Sequence, residues 1–204
     1  MEIERSRSTP PPLQAAYDLN GKSLTNFPFL KPRTGLPVIG VTVLTRTTSA
    51  MTLNTLYATP FLVVQNCQIT AARVIVNSTG GTGNGRLGIY KSLNLDRVDT
   101  PSGGALVADW GAVSAATTGV KSITSLTTNL TPGWHYLVIV TDNSTPTWYS
   151  VGSSLSGLFD DFGGAASMGW SVAFTYAALE DPFPAGALPS ITAPIIGVTI
   201  GSYS

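Results

Sequence analysis

The stretch of residues 86–140 constrains the fold more than any other part of the chain. Its apolar residues occur in four short runs, which Gly, Pro, Asp, Ser and Thr separate. Each run is about as long as one strand and is rich in β-branched and aromatic residues, which favours strands over helices. The runs are 87–90, 105–113, 120–130 and 134–140. The stretch therefore predicts an all-β body.

The sharpest turn signal in this stretch is Pro132-Gly133, between the third and fourth runs. Proline presets φ at one turn position, and glycine accepts a positive φ at the next. The run after the turn is apolar at nearly every position. We expect the two flanking strands to pair with each other as a buried antiparallel hairpin at the centre of the body.

Similar short runs predict strands elsewhere in the chain. Proline cannot donate to a sheet, so Pro60 predicts an edge position or a bulge within its strand. No amphipathic helix pattern and no internal repeat accompany the strands. We therefore predict an antiparallel β-sandwich, jelly-roll-like, over residues 37–204. Its further strands are expected at 36–44, 54–64, 68–76, 147–151, 170–176 and 193–200.

The composition favours a protein that associates with itself. Charged residues make up 11% of the 204-residue chain, against about a quarter in ordinary globular proteins, and the net charge is zero. A monomer with so little charge disperses poorly, so we expect surface to be buried in an oligomer. There is no dense basic patch for nucleic acid and no apolar run near the ~20 residues of a membrane helix, so neither nucleic acid nor membrane insertion is expected.

Residues 1–36 are predicted to form an extended N-terminal anchoring arm. Three consecutive prolines begin at Pro10, and proline both removes donors and disfavours helix. Such an arm can order when it docks on another protein, whereas the alternative is a floppy terminus. An N-terminus without the apolar core of a signal peptide also predicts synthesis in the cytoplasm. The apolar side chains expected to anchor the arm are Leu13, Tyr17, Phe27 and Phe29.

The residues that could carry chemistry are few. His135 is the only histidine and Cys67 the only cysteine, so neither a catalytic triad nor a zinc site can be assembled around them. We expect a structural histidine and a buried thiol, and no enzyme activity, metal or cofactor. Asp160 and Asp161 are adjacent and point apart in an extended segment, so solvated turn acids are expected, with glycan cleavage or calcium as alternatives.

Aromatic residues give a better functional lead. Trp110, Trp148 and Tyr149 lie near predicted turns, where flat rings could stack on sugars or contact a partner. Together with Asp160 and Asp161 they are the candidate binding residues. Trp134 and Trp170 stand inside predicted strands and are expected in the core.

A series of short motifs gives the chain a resemblance to a known family. They are LYATPF at 56–61, ARV at 72–74, RLGIY at 86–90, GALVAD at 104–109, TGVK at 118–121 and LTPGWHYLV at 130–138. With the strand 170–176 and the turn 181–184, they resemble a β-sandwich domain of tailed-bacteriophage structural proteins, over about residues 54–200. That domain is found at the distal end of tail fibres or in minor tail proteins.

The resemblance implies a trimeric, non-enzymatic virion protein, exposed on the particle surface after synthesis in the host cytoplasm. A tail-fibre or tail-associated role in attachment to a host glycan or receptor is expected, with the arm contacting other virion proteins. Because a short arm rather than a long shaft precedes the domain, a capsid decoration, cement or head-fibre protein is the alternative. A carbohydrate-binding module is the second alternative.

Overall fold

The computed structural model describes residues 34–35, 37–39, 46–79, 81–94, 99–151 and 169–204. Within these ranges the chain forms strands and turns and no helix, and the strands build two packed antiparallel sheets. The predicted β-sandwich is confirmed. Of the predicted arm of residues 1–36, residues 1–33 and 36 lie outside the described residues, and β1 begins at Pro37. The strands are β1 (Pro37–Ile39), β2 (Arg46–Ala50), β3 (Thr55–Val63), β4 (Cys67–Ser78), β5 (Asn84–Lys91), β6 (Leu106–Ser114), β7 (Gly119–Leu130), β8 (Gly133–Thr141), β9 (Thr147–Val151), β10 (Gly169–Ala173), β11 (Leu188–Ser190), β12 (Ala193–Pro194) and β13 (Gly197–Tyr203).

The two sheets differ in topology, because one is a single row of strands and the other has two strands paired outside its row. The six-stranded sheet has the order β11-β10-β3-β8-β5-β6. The seven-stranded sheet has the order β1-β13-β4-β9-β12, with β2 added on β9 and β7 added on β4. Because β6 and β7 contact each other, these two edge strands lie along the same side of the sandwich.

The predicted hairpin around Pro132-Gly133 is wrong. β7 pairs with β4 in one sheet, and β8 pairs with β3 and β5 in the other. Gly133 does adopt the expected positive φ, 121°. The turn therefore reverses the chain but carries it from one sheet to the opposite one, because turn residues specify a local reversal and not the partner of the next strand.

Pro60 lies in the interior of the six-stranded sheet and still obeys the edge rule. β10 pairs with β3 only as far as Ala58, so at Pro60 the strand has β8 alone as its partner within the described residues. Because β10 does not reach Pro60, the N–H that proline lacks has no inter-strand hydrogen bond to make on the β10 side of β3.

A bulge in β4 brings its apolar positions onto one face. Cys67 and Ile69 are buried at odd positions, whereas Ala72, Val74 and Val76 are buried at even ones. Relative to β13, β4 has one extra residue between Ile69 and Ala71, which accounts for the change of phase because an extra residue flips every side chain after it. Ile69, Val74 and Val76 are therefore buried together between the sheets.

The main core fills the space between the sheets. It takes alternate residues from β3, β5 and β8 and packs them against the inner faces of β4, β9 and β13. Among its members are Tyr57, Phe61, Ile69, Val76, Leu87, Ile89, Leu137, Ile139, Trp148, Val198 and Ile200.

The outer face of the six-stranded sheet is also covered. Residues 174–187, here named the cover segment, place Phe174, Leu179 and Phe183 over it. Phe183 packs edge-on against Tyr90, with ring centroids 5.0 Å apart. β8 is therefore buried on both faces, which explains why its sequence is apolar at almost every position.

Candidate functional site

Trp148, a predicted ligand-stacking residue, lies in the main core. Its side chain is 1% exposed. The ring lies over Gly85, where an added Cβ would come within 2.9 Å of Cη2. β9 pairs with both β2 and β4, so the ring points inward and cannot stack on a ligand. The prediction of an accessible ring at Trp148 is wrong.

Trp110 is likewise unavailable for stacking. It is 8% exposed, and its Nε1 donates to Thr128 Oγ1 at 2.9 Å. This bond joins β6 to β7 and so ties the edge of one sheet to the edge of the other. The expectation of an accessible ring at Trp110 is wrong for the same reason, and the ring closes one side of the sandwich.

Tyr149 is the predicted binding aromatic that keeps an accessible side chain. It follows Trp148 in β9, points to the opposite face, and is partly exposed beside Thr48 of β2. Its binding role stays a prediction. Asp160 and Asp161, and the arm residues Leu13, Tyr17, Phe27 and Phe29, lie outside the described residues.

The single histidine and the single cysteine are both buried. His135 is 1% exposed, and its Nδ1 lies 3.1 Å from the carbonyl oxygen of Gly133. Burial lowers the pKa of His135 from 6.5 to about 4, although the Gly133 contact opposes this, so the ring is neutral near pH 7. Burial raises the pKa of the Cys67 thiol to about 11. Cys67 is the buried hydrophobe that the sequence predicts.

Charged side chains gather beside the cover segment. Arg86 binds the carboxylate of Asp109 with Nε and Nη2, and the Asp109 carboxylate also accepts the backbone N–H of Leu179 at 3.0 Å. Asp142 accepts two hydrogen bonds from Asn84, at 2.6 and 2.8 Å. Because these carboxylates are occupied by contacts within the chain, the cluster fastens the cover segment and the strand ends.

The sequence did not predict this cluster of charged side chains. Arg86 and Asp109 are 23 residues apart in sequence and belong to neighbouring strands. The available signal was an Arg and an Asp inside two otherwise apolar runs, where an unpaired charge is costly.

An apolar surface remains bare at one end of the six-stranded sheet. Leu62 and Trp134 are register partners on β3 and β8. Leu62 is 45% exposed, and Trp134 is partly exposed. These two residues are named the Leu62–Trp134 patch. The expectation of a core Trp134 is therefore wrong, whereas core burial of Trp170 is confirmed.

A cleft of about 300 Å³ opens at the same end of the sandwich. Side-chain amides and hydroxyls form part of its lining, and Gln68 donates to the side chain of Asn129 at 3.2 Å. Such groups offer donors and acceptors to a hydroxylated ligand. The lining residues are Asn66, Cys67, Gln68, Asn129, Leu130, Thr131, Ser202 and Ser204.

The described part of the chain holds no group of three or more side chains suited to a metal ion. It also contains no helix of the length and apolarity that crossing a bilayer requires. The fold defines a β-sandwich protein with buried aromatics and one bare apolar end. No family model and no curated protein matches the sequence.

Proposed function

We propose that the chain is a non-enzymatic structural protein of a bacteriophage virion, most simply a tail-fibre or tail-associated protein. Its N-terminal arm holds it on the particle, and its β-sandwich is exposed as a homotrimer for host attachment. The observation that carries this proposal is the place of the motifs that resemble phage tail domains. Those at 56–61, 86–90 and 134–138 lie in β3, β5 and β8, at the centre of the doubly covered sheet.

Two surface properties support self-association. The chain carries few charges, and several large apolar side chains are exposed among the described residues. Leu188 and Ile191, 68% and 63% exposed, lie at and just after β11, the edge strand of the six-stranded sheet. Exposed apolar groups of this kind are normally buried against a partner when they form a patch.

The non-enzymatic part of the proposal is supported by the state of the titratable residues. His135 is buried and neutral, and Asp109 is held in an ion pair. A general acid or base must reach a substrate proton, which neither residue does.

Immunogold labelling of intact particles tests the proposal directly. Label at the tail tip supports the attachment role, label over the head supports the alternative of a capsid decoration, cement or head-fibre protein, and unlabelled particles contradict a virion role altogether. Sedimentation equilibrium of the purified chain tests the trimer separately, because a monomer at micromolar concentration contradicts it.

Attachment can then be tested at Tyr149. Particles with Tyr149→Ala are expected to adsorb to host cells more slowly, because the tyrosine is the predicted aromatic that remains accessible. Thr48→Ala, on the strand beside it, is the matched control. Equal adsorption rates for all three particles would remove Tyr149 from the attachment surface.

The cleft beside Gln68 and Asn129 favours a carbohydrate-binding module as a second candidate function. Its volume lies at the lower end of the range for small-molecule sites, ~300–1,000 Å³, and its lining combines apolar surface with amide and hydroxyl groups. Glycan-array binding that Gln68→Ala abolishes, and that Gln65→Ala leaves intact, would support this candidate. Array binding that is absent in the unmodified protein would exclude it.

A further inference from the structure

We propose that residues 27–30 of the N-terminal arm dock on the Leu62–Trp134 patch of the same chain. The occupant is the sequence Phe27-Pro28-Phe29-Leu30, which lies just before the sandwich begins. The inference goes beyond the proposed function, because it concerns the isolated protein and holds whether or not the protein belongs to a particle. It leaves Leu13 and Tyr17 as the arm residues available to another protein.

The patch is the uncovered end of a face that is buried elsewhere. On the outer face of β3, Leu56 and Ala58 are buried beneath the cover segment, whereas Leu62 on the same face is 45% exposed. β8 shows the same change from buried Tyr136 to partly exposed Trp134. The cover segment therefore stops short of the end of the sheet, and the apolar face continues beyond it.

The path of the chain brings the arm to this end. β1 runs antiparallel to β13, so the chain preceding β1 heads toward the end of β13 at Tyr203. The backbone N–H of Gly35 bonds to the carbonyl of Ile200 at 2.7 Å and fixes this direction. Ile200 and Leu62 line the same small cleft. The arm therefore leaves the described structure next to the patch.

The distance is within reach of the segment. Phe29 precedes Thr34 by five residues. At about 3.4 Å for each extended residue, five residues span roughly 17 Å. β1 and β13 belong to the seven-stranded sheet, so the segment must first cross the ~10 Å between packed sheets, and the rest of the span covers about one strand spacing of 4.8 Å beyond it. Phe29 and Leu30 can therefore contact Leu62 and Trp134 without any change in the sandwich.

The chemistry of the segment suits an aromatic surface better than a sheet edge. Pro28 and Pro32 lack the N–H groups that an added strand would need. A proline-containing segment in the polyproline II conformation packs its side chains on aromatic grooves instead, with little loss of entropy. Lys31 and Arg33 flank the apolar residues and can extend into water while the rings of Phe27 and Phe29 cover Trp134.

Tryptophan fluorescence gives a direct test, because Trp134 is the partly exposed tryptophan among the four. Trp110, Trp148 and Trp170 are 8%, 1% and 3% exposed. Acrylamide quenching therefore reports mainly on Trp134, and the same measurement in a Trp134→Phe chain supplies the background. Phe27→Ser with Phe29→Ser is expected to increase quenching and shift Trp134 emission to longer wavelength. The matched control, Leu13→Ser with Tyr17→Ser, is expected to leave both unchanged.

A mixing experiment separates docking within one chain from docking between copies. The full-length Phe27→Ser, Phe29→Ser chain is refolded together with an excess of full-length Trp134→Phe chain, so that Trp134 is present only in copies whose own arm is altered. If docking is within one chain, quenching of these copies stays high. Protection of their Trp134 would overturn the proposal and assign the patch to the arm of a second copy. Equal quenching of the unmodified chain and the Phe27→Ser, Phe29→Ser chain would overturn docking of this segment.

Discussion

Arg86 and Asp109 form a two-pronged ion pair on the outer face of the six-stranded sheet. Nε lies 2.9 Å from Oδ1, and Nη2 lies 2.7 Å from Oδ2. The same carboxylate accepts the backbone N–H groups of Gly111 and Leu179, each at 3.0 Å. The Asp109 side chain of β6 thus binds both Arg86 of β5 and the backbone of the cover segment.

Loss of the Asp109 charge should loosen the cover segment. Asp109→Asn removes the ion pair and leaves the Arg86 guanidinium, largely withdrawn from water, without its partner. We expect the free energy of unfolding to fall by about 1–3 kcal/mol, measured by urea denaturation at pH 7. Glu180→Gln is the control, because the contact with Tyr90 uses the backbone carbonyl of Glu180 and not its carboxylate. Equal losses in the two variants would contradict the role assigned to the pair.

The Asp109 contribution should disappear only in strong acid. Burial opposes ionisation of Asp109, but hydrogen bonds from Arg86, Leu179 and Gly111 outweigh it and hold the pKa below the ordinary 3.8. A carboxyl group with a lowered pKa stabilises the fold above its unfolded pKa, and this stabilisation is lost as the pH falls through the folded value. The difference between the unmodified chain and Asp109→Asn should therefore be constant above about pH 5 and shrink below pH 3.8.

His135 should make the fold sensitive to pH in a separate, higher window. Its pKa falls from 6.5 to about 4 on folding, so the unfolded chain binds the proton more readily. Stability is therefore complete above pH 6.5 and declines as the pH drops toward 4, by up to about 3 kcal/mol. His135→Gln, which cannot take up a proton, should flatten the decline. Unfolding free energies measured at pH 7, 5.5 and 4.5 would show equal slopes for both chains if this account were wrong.

The strand positions could be predicted from the sequence because they depend on local pattern. The expected strand at 147–151 is β9 itself, and the expected 54–64 differs from β3 by one residue at each end. Alternation and turn residues are properties of a few neighbouring residues, so they can be read without the fold.

Which sheet a strand joins, and what covers each face, could not be predicted in the same way. β7 and β8 are separated by only Thr131 and Pro132, yet they belong to different sheets. Trp148 and Trp110 stand near turns in sequence but face inward, because their burial depends on strands far away in the chain. The continuous apolar run of β8 did indicate that both faces of this strand are buried. No neighbouring residues in the sequence, however, identified the cover segment as the element that buries the outer face.

Two of the buried tryptophans, Trp110 and Trp148, should respond differently to loss of the indole N–H. Trp110 Nε1 donates to Thr128 Oγ1, whereas Trp148 Nε1 is buried without a hydrogen-bond partner. Thr128→Val should cost about 1 kcal/mol of unfolding free energy in the unmodified chain. It should cost almost nothing after Trp110→Phe, but its full amount after Trp148→Phe, which is the matched control. Identical effects of Thr128→Val in all three backgrounds would contradict the hydrogen bond.

Gly201 and Thr70 should behave as a coupled pair, because each lies at an irregularity of its strand and they face each other across β13 and β4. Register shifts bracket both residues, and a Cβ added at Gly201 would come within 2.3 Å of Thr70 Cγ2. Gly201→Ala should therefore cost about 1 kcal/mol, because the Thr70 side chain must leave its rotamer to admit the new methyl group. Thr70→Ser removes the colliding methyl group and keeps the hydroxyl that donates to the Thr199 carbonyl at 3.3 Å.

Combining the two changes should restore most of the lost stability, because the nearest remaining Thr70 atoms, Oγ1 and Cβ, would lie 3.4 and 3.5 Å from the new Cβ. Thr70→Ser alone should change the unfolding free energy by only about 0.5 kcal/mol. The four chains form a double-mutant cycle, and urea denaturation gives the coupling energy directly. A double variant as unstable as Gly201→Ala alone would show that these residues do not pack against each other.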